Sequence, residues 1–200
     1  MQRRSPIFKV QPVDGHTVRL RYRCGVPESA AAAVTSRLAT VPDFPEKGIL
    51  FRDLTPVLAD ASSFAAVIEN LGDAFAGRFD AVAGVEARGF LLASAVAYRA
   101  GTGVIAVRKA GKLPGPVIAE EYSLEYGSAA LEIEPDHVPA GYRVLILDDV
   151  LATGGSVGAT ARLLQRAGCT VAGVGVVLEL DGLGGRPRLE AFELHAILTL

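Results

Sequence analysis

A chain of 200 residues that is 50% hydrophobic and 21% charged can bury one substantial core and leaves little room for a second domain. Its net charge of −2 is unevenly placed: Arg3, Arg4, Lys9, Arg19, Arg21 and Arg23 face only Asp14 in the first 25 residues, so the body is mildly acidic and lacks the basic footprint of a general nucleic-acid binder. Two distant cysteines (Cys24, Cys169), three scattered histidines (His16, His137, His195) and an apolar stretch at 89–107 broken by Arg99 and Gly101-Thr102-Gly103 argue against a disulfide framework, a metal cluster and a membrane span, and suit a reducing cytoplasm.

Residues 1–27 read as an extension. Val18, Leu20, Tyr22 and Cys24 alternate with Arg19, Arg21 and Arg23, which suits a strand with one basic face, but a poorly ordered, solvated segment is the expectation. Arginines interrupt every apolar run there, so a secretory signal is not expected. From Glu28 the pattern becomes regular, and residues 28–200 are expected to form the functional domain. Pro27-Glu28-Ser29 followed by an alanine-rich run to Leu38 predicts a capped helix that stops before Pro42. The stretch VPDFPEKGILFRDLTPVL is too irregular for either period, and residues 61–77 return to helical spacing with Phe64, Val67, Ile68, Leu71 and Phe75 on one face.

Apolar strands are then predicted at 79–85, 103–108, 142–148 and 170–178, with helices at 88–100 and 155–168 between them. Strands that are apolar on both faces and alternate with helices predict an α/β fold, a parallel sheet flanked by helices. Ligands of such sheets sit at the carboxyl ends of the strands. Asp148 and Asp149 fall there, followed by Val-Leu-Ala-Thr-Gly-Gly-Ser and a helix start. A helix start offers unpaired N–H groups, Gly154 and Gly155 remove side-chain bulk, and Thr153 and Ser156 add hydroxyls, so the turn suits a phosphate. Two carboxylates beside a phosphate must face another part of the same ligand, either ribose hydroxyls or a magnesium ion. A sugar phosphate is implied.

LILDDVLATGGS resembles the phosphoribosyl pyrophosphate (PRPP) motif of the type I phosphoribosyltransferases. The resemblance implies their fold, a parallel sheet flanked by helices with a small hood and lid region. It also implies PRPP binding, with Asp148 and Asp149 on the ribose, Ala152, Thr153, Gly154, Gly155 and Ser156 on the 5′-phosphate, and Mg²⁺ held mainly by PRPP with no direct protein ligand. Four further stretches are similar to the adenine phosphoribosyltransferases: DFPEKGILFRDLTPVL at 43–58, GVEARGF at 84–90, VRKAGKLPG at 107–115 with SLEYG at 123–127, and LELDGLGGR at 178–186. They imply pyrophosphate binding by Arg88, Arg108, Lys109 and Lys112, the first of the three loop cations reaching across a homodimer interface. A cis peptide between Glu86 and Ala87, and a lid from Lys109 to about Gly127, follow from the same likeness. So do adenine binding by Leu50, Phe51, Arg52 and Leu180, and an acid–base role for Glu125 with Tyr126 beside it; Glu120 and Glu121 lie close enough to compete for that role. Ala87 stands where the adenine enzymes usually have serine.

The implied activity is a cytoplasmic glycosyltransferase of purine salvage that makes AMP and pyrophosphate from adenine and PRPP. A 6-oxopurine acceptor is the nearest alternative, but the lysine that commonly donates to a 6-oxo group is missing: no lysine follows Lys112. A PRPP-sensing regulator that binds nucleic acid would need a basic face, which only the N-terminal arginines offer. A hydrolase is the remaining alternative, because Gly154-Gly155-Ser156-Val157-Gly158 matches GxSxG and Asp181 and His195 follow in hydrolase order; seven residues between Asp148 and Ser156 are too many for a nucleophile elbow.

Overall fold

Ser29 opens the first helix, α1 (Ala30–Arg37), by accepting the Ala32 N–H at 3.2 Å. The computed structural model describes residues 29–44, 46–123 and 128–200, so the extension expected at 1–27 lies outside the described residues. A short antiparallel hairpin follows, β1 (Ala39–Pro42) with β2 (Leu50–Asp53), in the stretch whose prolines and glycine hide any period. Next come α2 (Thr55–Ala59) and α3 (Ala61–Ala74), the latter capped by Asp60, whose Oδ1 accepts the Ser63 N–H at 2.9 Å. The remaining strands and helices are β3 (Ala81–Val85), α4 (Gly89–Ala100), β4 (Gly103–Lys109), β5 (Ile118–Ser123), β6 (Ser128–Ile133), β7 (Arg143–Leu151), α5 (Gly155–Arg166), β8 (Thr170–Glu179), α6 (Gly185–Arg188) and β9 (Leu194–Thr199).

The larger sheet has the order β5-β6-β4-β3-β7-β8-β9. The five strands β4, β3, β7, β8 and β9 are parallel, as the apolar runs predict, while β5 and β6 form an antiparallel hairpin added beside β4 through Arg108↔Glu132 and Lys109↔Leu131. Alternation along β7 divides the core. Val144 and Ile146 join Val85, Val107, Leu163 and Leu164 on the α5 face; Leu145 and Leu147 join Leu71, Phe75, Leu92 and Val96 beneath α3 and α4. Both faces are thus covered, which is why the strands carry so few polar residues. Phe75 lies so flat on β8 that a Cβ at Gly173 would sit 2.2 Å from its ring.

Chain order and sheet order diverge at β3, which has β4 on one side and β7 on the other. A crevice forms where neighbouring connections leave in opposite directions, outside the carboxyl ends of the two strands. The ends of β3 and β7 carry the Glu86–Gly89 turn and the Asp148–Ser156 segment.

Candidate active site

The acidic pair lies inside β7, with Asp148 still paired to Val176, and the strand continues to Leu151. Both carboxylates are therefore nearly enclosed, Asp148 7% and Asp149 8% exposed. The Asp149 N–H donates to Asp148 Oδ1 at 2.9 Å, and the Ser156 hydroxyl reaches Asp148 Oδ2 at 3.4 Å. Burial, and then the neighbouring Asp149 charge, push the Asp148 carboxyl well above the usual carboxylate range. A ligand that brings hydroxyl donors or a cation would relieve that strain.

Beyond Leu151 the chain turns through Gly154, held at φ 76°, and enters α5 at Gly155. The turn is backed by α6 at a distance only glycine permits: a Cβ on Gly185 would lie 2.3 Å from the Ala152 carbonyl oxygen, and one on Gly154 would lie 3.0 Å from the Gly185 carbonyl oxygen. Glu179, buried at the end of β8, accepts Nε and Nη2 of Arg186, one edge of the guanidinium, and so ties α6 to the sheet. Leu180 follows directly and donates its N–H to Leu151 at 2.9 Å, which sets it beside the same turn.

The opposite wall is the turn after β3. It contains the expected cis peptide between Glu86 and Ala87. Here too glycine sets the spacing, since a Cβ on Gly89 would lie 2.7 Å from the Leu147 carbonyl oxygen and one on Gly84 would lie 2.8 Å from that of Gly89. The start of α4 is thereby pressed against β7, and Arg88 Nε reaches Asp149 Oδ2 at 2.7 Å. The approach is off the N–H direction, so this ion pair leaves that buried oxygen without a well-aligned hydrogen bond.

The Arg88 guanidinium also stands 5.7 Å over the Phe51 ring, and Phe44 meets Phe51 edge-on at 5.1 Å. This brings β2 to the crevice. Leu50 is exposed and Arg52 donates to the Thr40 hydroxyl at 2.9 Å, which keeps the hairpin closed around Phe51.

A third group gathers at the end of β4. Glu86 Oε2 accepts the Lys109 backbone N–H at 2.8 Å and Arg108 Nε at 3.2 Å, while Oε1 accepts Lys112 Nζ at 3.3 Å. The Lys109 N–H first, and then Arg108 and Lys112 against the cost of burial, hold the Glu86 carboxyl at about 2. The Lys109 ammonium has no ion pair among the described residues. Glu125 and Tyr126 lie outside the described residues. Of their neighbours, Glu120 is bound by Arg162 at 2.6 Å and Arg166 at 3.1 Å, which occupies its carboxylate, whereas Glu121 is exposed.

Residues 55–193 match the phosphoribosyl transferase domain family. An adenine phosphoribosyltransferase of Clavibacter sepedonicus is 64% identical over 180 residues, 90% of this chain and 94% of its own. One from Mycobacterium tuberculosis is 55% identical over 173 residues, 86% of this chain and 81% of its own. The chain belongs to the adenine phosphoribosyltransferase family. Among solved structures, that of the Thermoanaerobacter pseudethanolicus adenine phosphoribosyltransferase superposes with a TM-score of 0.82 at 44% identity, over 85% of this chain and 99% of that one. The Saccharomyces cerevisiae adenine phosphoribosyltransferase, solved with adenine and an imino-altritol bisphosphate, gives 0.79 at 37% identity, over 84% and 98%. The expected type I phosphoribosyltransferase fold is what the structure has.

Several residues of this family member are brought to the crevice without having been singled out in the sequence. Tyr122 of β5, Arg162 of α5 and Arg188 of α6 line a cleft of about 320 Å³ with Glu121, Gly154 and Gly155. Burial, and then the Asp148 charge, raise the Tyr122 phenol above its usual range. The ion-pair partners of Glu86, Glu179 and Arg186 were equally silent, because they lie 7 to 26 residues away and no local period links them. The hydrolase arrangement is not assembled: the Ser156 hydroxyl is at Asp148, while His195 Nε2 meets Asn70 Oδ1 at 2.7 Å beside α3.

Proposed function

We propose that this chain transfers the 5-phosphoribosyl group of PRPP to adenine, releasing AMP and pyrophosphate. The observation that carries the reading is the convergence, in one crevice at the sheet's switch point, of the buried pair Asp148 and Asp149, the glycine turn 152–156, and Arg88 stacked over Phe51. The turn amides with Thr153 and Ser156 take the 5′-phosphate, and Asp148 and Asp149 accept from the ribose hydroxyls, so the anomeric carbon is held still between acceptor and leaving group. Phe51 stacks on the purine, backbone groups of Leu50 and Arg52 read its edge, and Leu180 closes the other face. Arg88, Arg108, Lys109 and Lys112 receive the pyrophosphate, where negative charge builds as the bond to carbon breaks. Glu125 takes the proton that the purine nitrogen loses as it attacks, with Tyr126 beside it, and the segment 109–127 closes to exclude water.

Mg²⁺ fits this site. The pair Asp148 and Asp149 is an all-oxygen donor set of the kind a hard cation accepts, and the buried Asp149 Oδ2 is without a hydrogen bond. Asp148 and Asp149 would face Mg²⁺ held mainly by PRPP oxygens, and the ion, when bound, would supply positive charge for the departing pyrophosphate.

Residues 28–200 act as the catalytic domain of a cytoplasmic salvage enzyme, with 1–27 outside it, and the enzyme works as a homodimer. An exposed apolar stripe supports the dimer: Leu91 and Tyr98, the latter 89% exposed, follow one face of α4 beside Val104 of β4. Purified protein given Mg²⁺ and PRPP with adenine, guanine, hypoxanthine or xanthine tests the reading. Nucleotide product is expected with adenine alone; comparable turnover of a 6-oxopurine overturns the acceptor assignment.

A further inference from the structure

We propose that Glu86 is an internal counter-anion of the pyrophosphate site, a positioning residue that holds Arg108 and Lys112 while the site is empty and takes them back as pyrophosphate leaves. The inference rests on the phosphoribosyl-transfer reading and deepens it. Three cations within five residues, Arg108, Lys109 and Lys112, repel one another unless an anion is present. Glu86 supplies that anion from the turn that follows the neighbouring strand β3, with a side chain only 10% exposed and a contact to each of Arg108 and Lys112.

Its third contact distinguishes a counter-anion from a simple ion pair. The Lys109 backbone N–H, at 2.8 Å, anchors the carboxylate independently of the two cationic side chains. When Arg108 and Lys112 swing to a ligand, the carboxylate therefore keeps one strong donor and stays in place. The carboxyl, held at about 2, is anionic throughout the physiological range and always available to compete.

The competition has a direction. Pyrophosphate carries several charges against one on Glu86, so the bound ligand wins the cations. Its negative charge increases as the bond to the anomeric carbon breaks, so transfer of the cations favours the transition state over bound PRPP. After transfer, Glu86 offers an alternative partner to both cations, which shortens the stay of the product. A residue that only braced the turn would have the opposite signature, because removing a brace weakens every ligand the turn holds.

The test is pyrophosphate binding, with Mg²⁺, to the full-length protein and to Glu86→Gln and Glu86→Ala, measured calorimetrically beside AMP binding as the control. The glutamine can still accept the Lys109 N–H but no longer attracts the cations, so pyrophosphate binding is expected to tighten roughly five-fold while AMP binding is unchanged. Glu86→Ala, which also loses the anchor, should gain less. Pyrophosphate binding that is unchanged or weaker in Glu86→Gln, with AMP binding intact, overturns the proposal. If Glu86→Gln does not fold, Glu86→Asp decides: its shorter carboxylate withdraws from both cations, so binding should tighten about two-fold, and weakening overturns the idea. Failure of the wild-type protein to bind either AMP or pyrophosphate would instead defeat the functional reading itself.

Discussion

The two regions proposed to bind anions are built in opposite ways. At the glycine turn the donors are backbone amides, fixed by β7, by α5 and by α6, whose Gly185 abuts Ala152 too closely for any side chain. At the end of β4 the donors are long side chains, half-exposed to exposed, whose positions depend on one carboxylate, Glu86. A backbone cradle is preorganised and holds a group that stays bound through the reaction; a cationic side-chain cluster is adjustable and suits a group that gains charge and then departs. On the proposed assignment, this contrast would let a single crevice retain a 5′-phosphate and still release pyrophosphate.

The largest effect expected of any single change lies in the buried acidic pair between these regions. Asp148→Asn should lower kcat/KM for PRPP by about 10²- to 10³-fold, because a ribose acceptor is lost. The same change should raise the thermal midpoint. Since the folded protein raises the Asp148 carboxyl, that group's contribution to stability falls as pH rises above its unfolded value near 3.8, and asparagine removes the penalty. A lower midpoint would show that Asp148 is satisfied in the empty site.

Next in size is Gly185→Val. Its side chain meets the Ala152 carbonyl oxygen, so the turn must shift, at a cost of about 1–3 kcal/mol in stability and with AMP affinity lost more than pyrophosphate affinity. Equal losses for the two ligands would erase the distinction between the regions. Phe51→Leu should raise the adenine KM about five- to tenfold and leave that for PRPP within about two-fold, because stacking is lost but no phosphate contact is.

Salt and acid sharpen the same comparison. Raising ionic strength from 0.05 to about 0.3 M should weaken pyrophosphate binding several-fold more than AMP binding, since exposed cations are screened and enclosed amides are not. Acid unfolding supplies the smallest signal. The folded Glu86 carboxyl lies at about 2, below the usual 4.5 of an unfolded glutamate, so its contribution is present above 4.5 and is lost as pH falls from about 4.5 toward 2. Glu86→Gln should therefore lose less stability than wild type over that interval, as read by chemical denaturation at each pH.

Local pattern carried a large part of this structure. Apolar runs such as 142–148 are legible because burial on both faces leaves no alternation to disguise them, and the acidic pair before two glycines is legible because its parts are contiguous. The strand proves longer than its apolar run, reaching Leu151, because a buried carboxylate is compatible with strand pairing though it breaks the hydrophobic pattern. The hairpins β1–β2 and β5–β6 and the edge strand β9 escaped notice, since prolines punctuate the first, charges cover the second, and β9 is half-buried along most of its length.

The amino-acid sequence by itself determined the parallel α/β core, the identity of the acidic pair and the glycine turn, and the likeness that led to the family. Only the tertiary structure decided which charges meet. It set Arg88 against Asp149 and Phe51, Glu86 beneath Arg108 and Lys112, and Glu179 against Arg186, the last to brace α6 behind the turn. The physical reason is reach: periodicity and turn chemistry act over a few residues, whereas an ion pair needs only that two side chains be close in space, and that closeness is created by the packing of strands and helices distant in the chain.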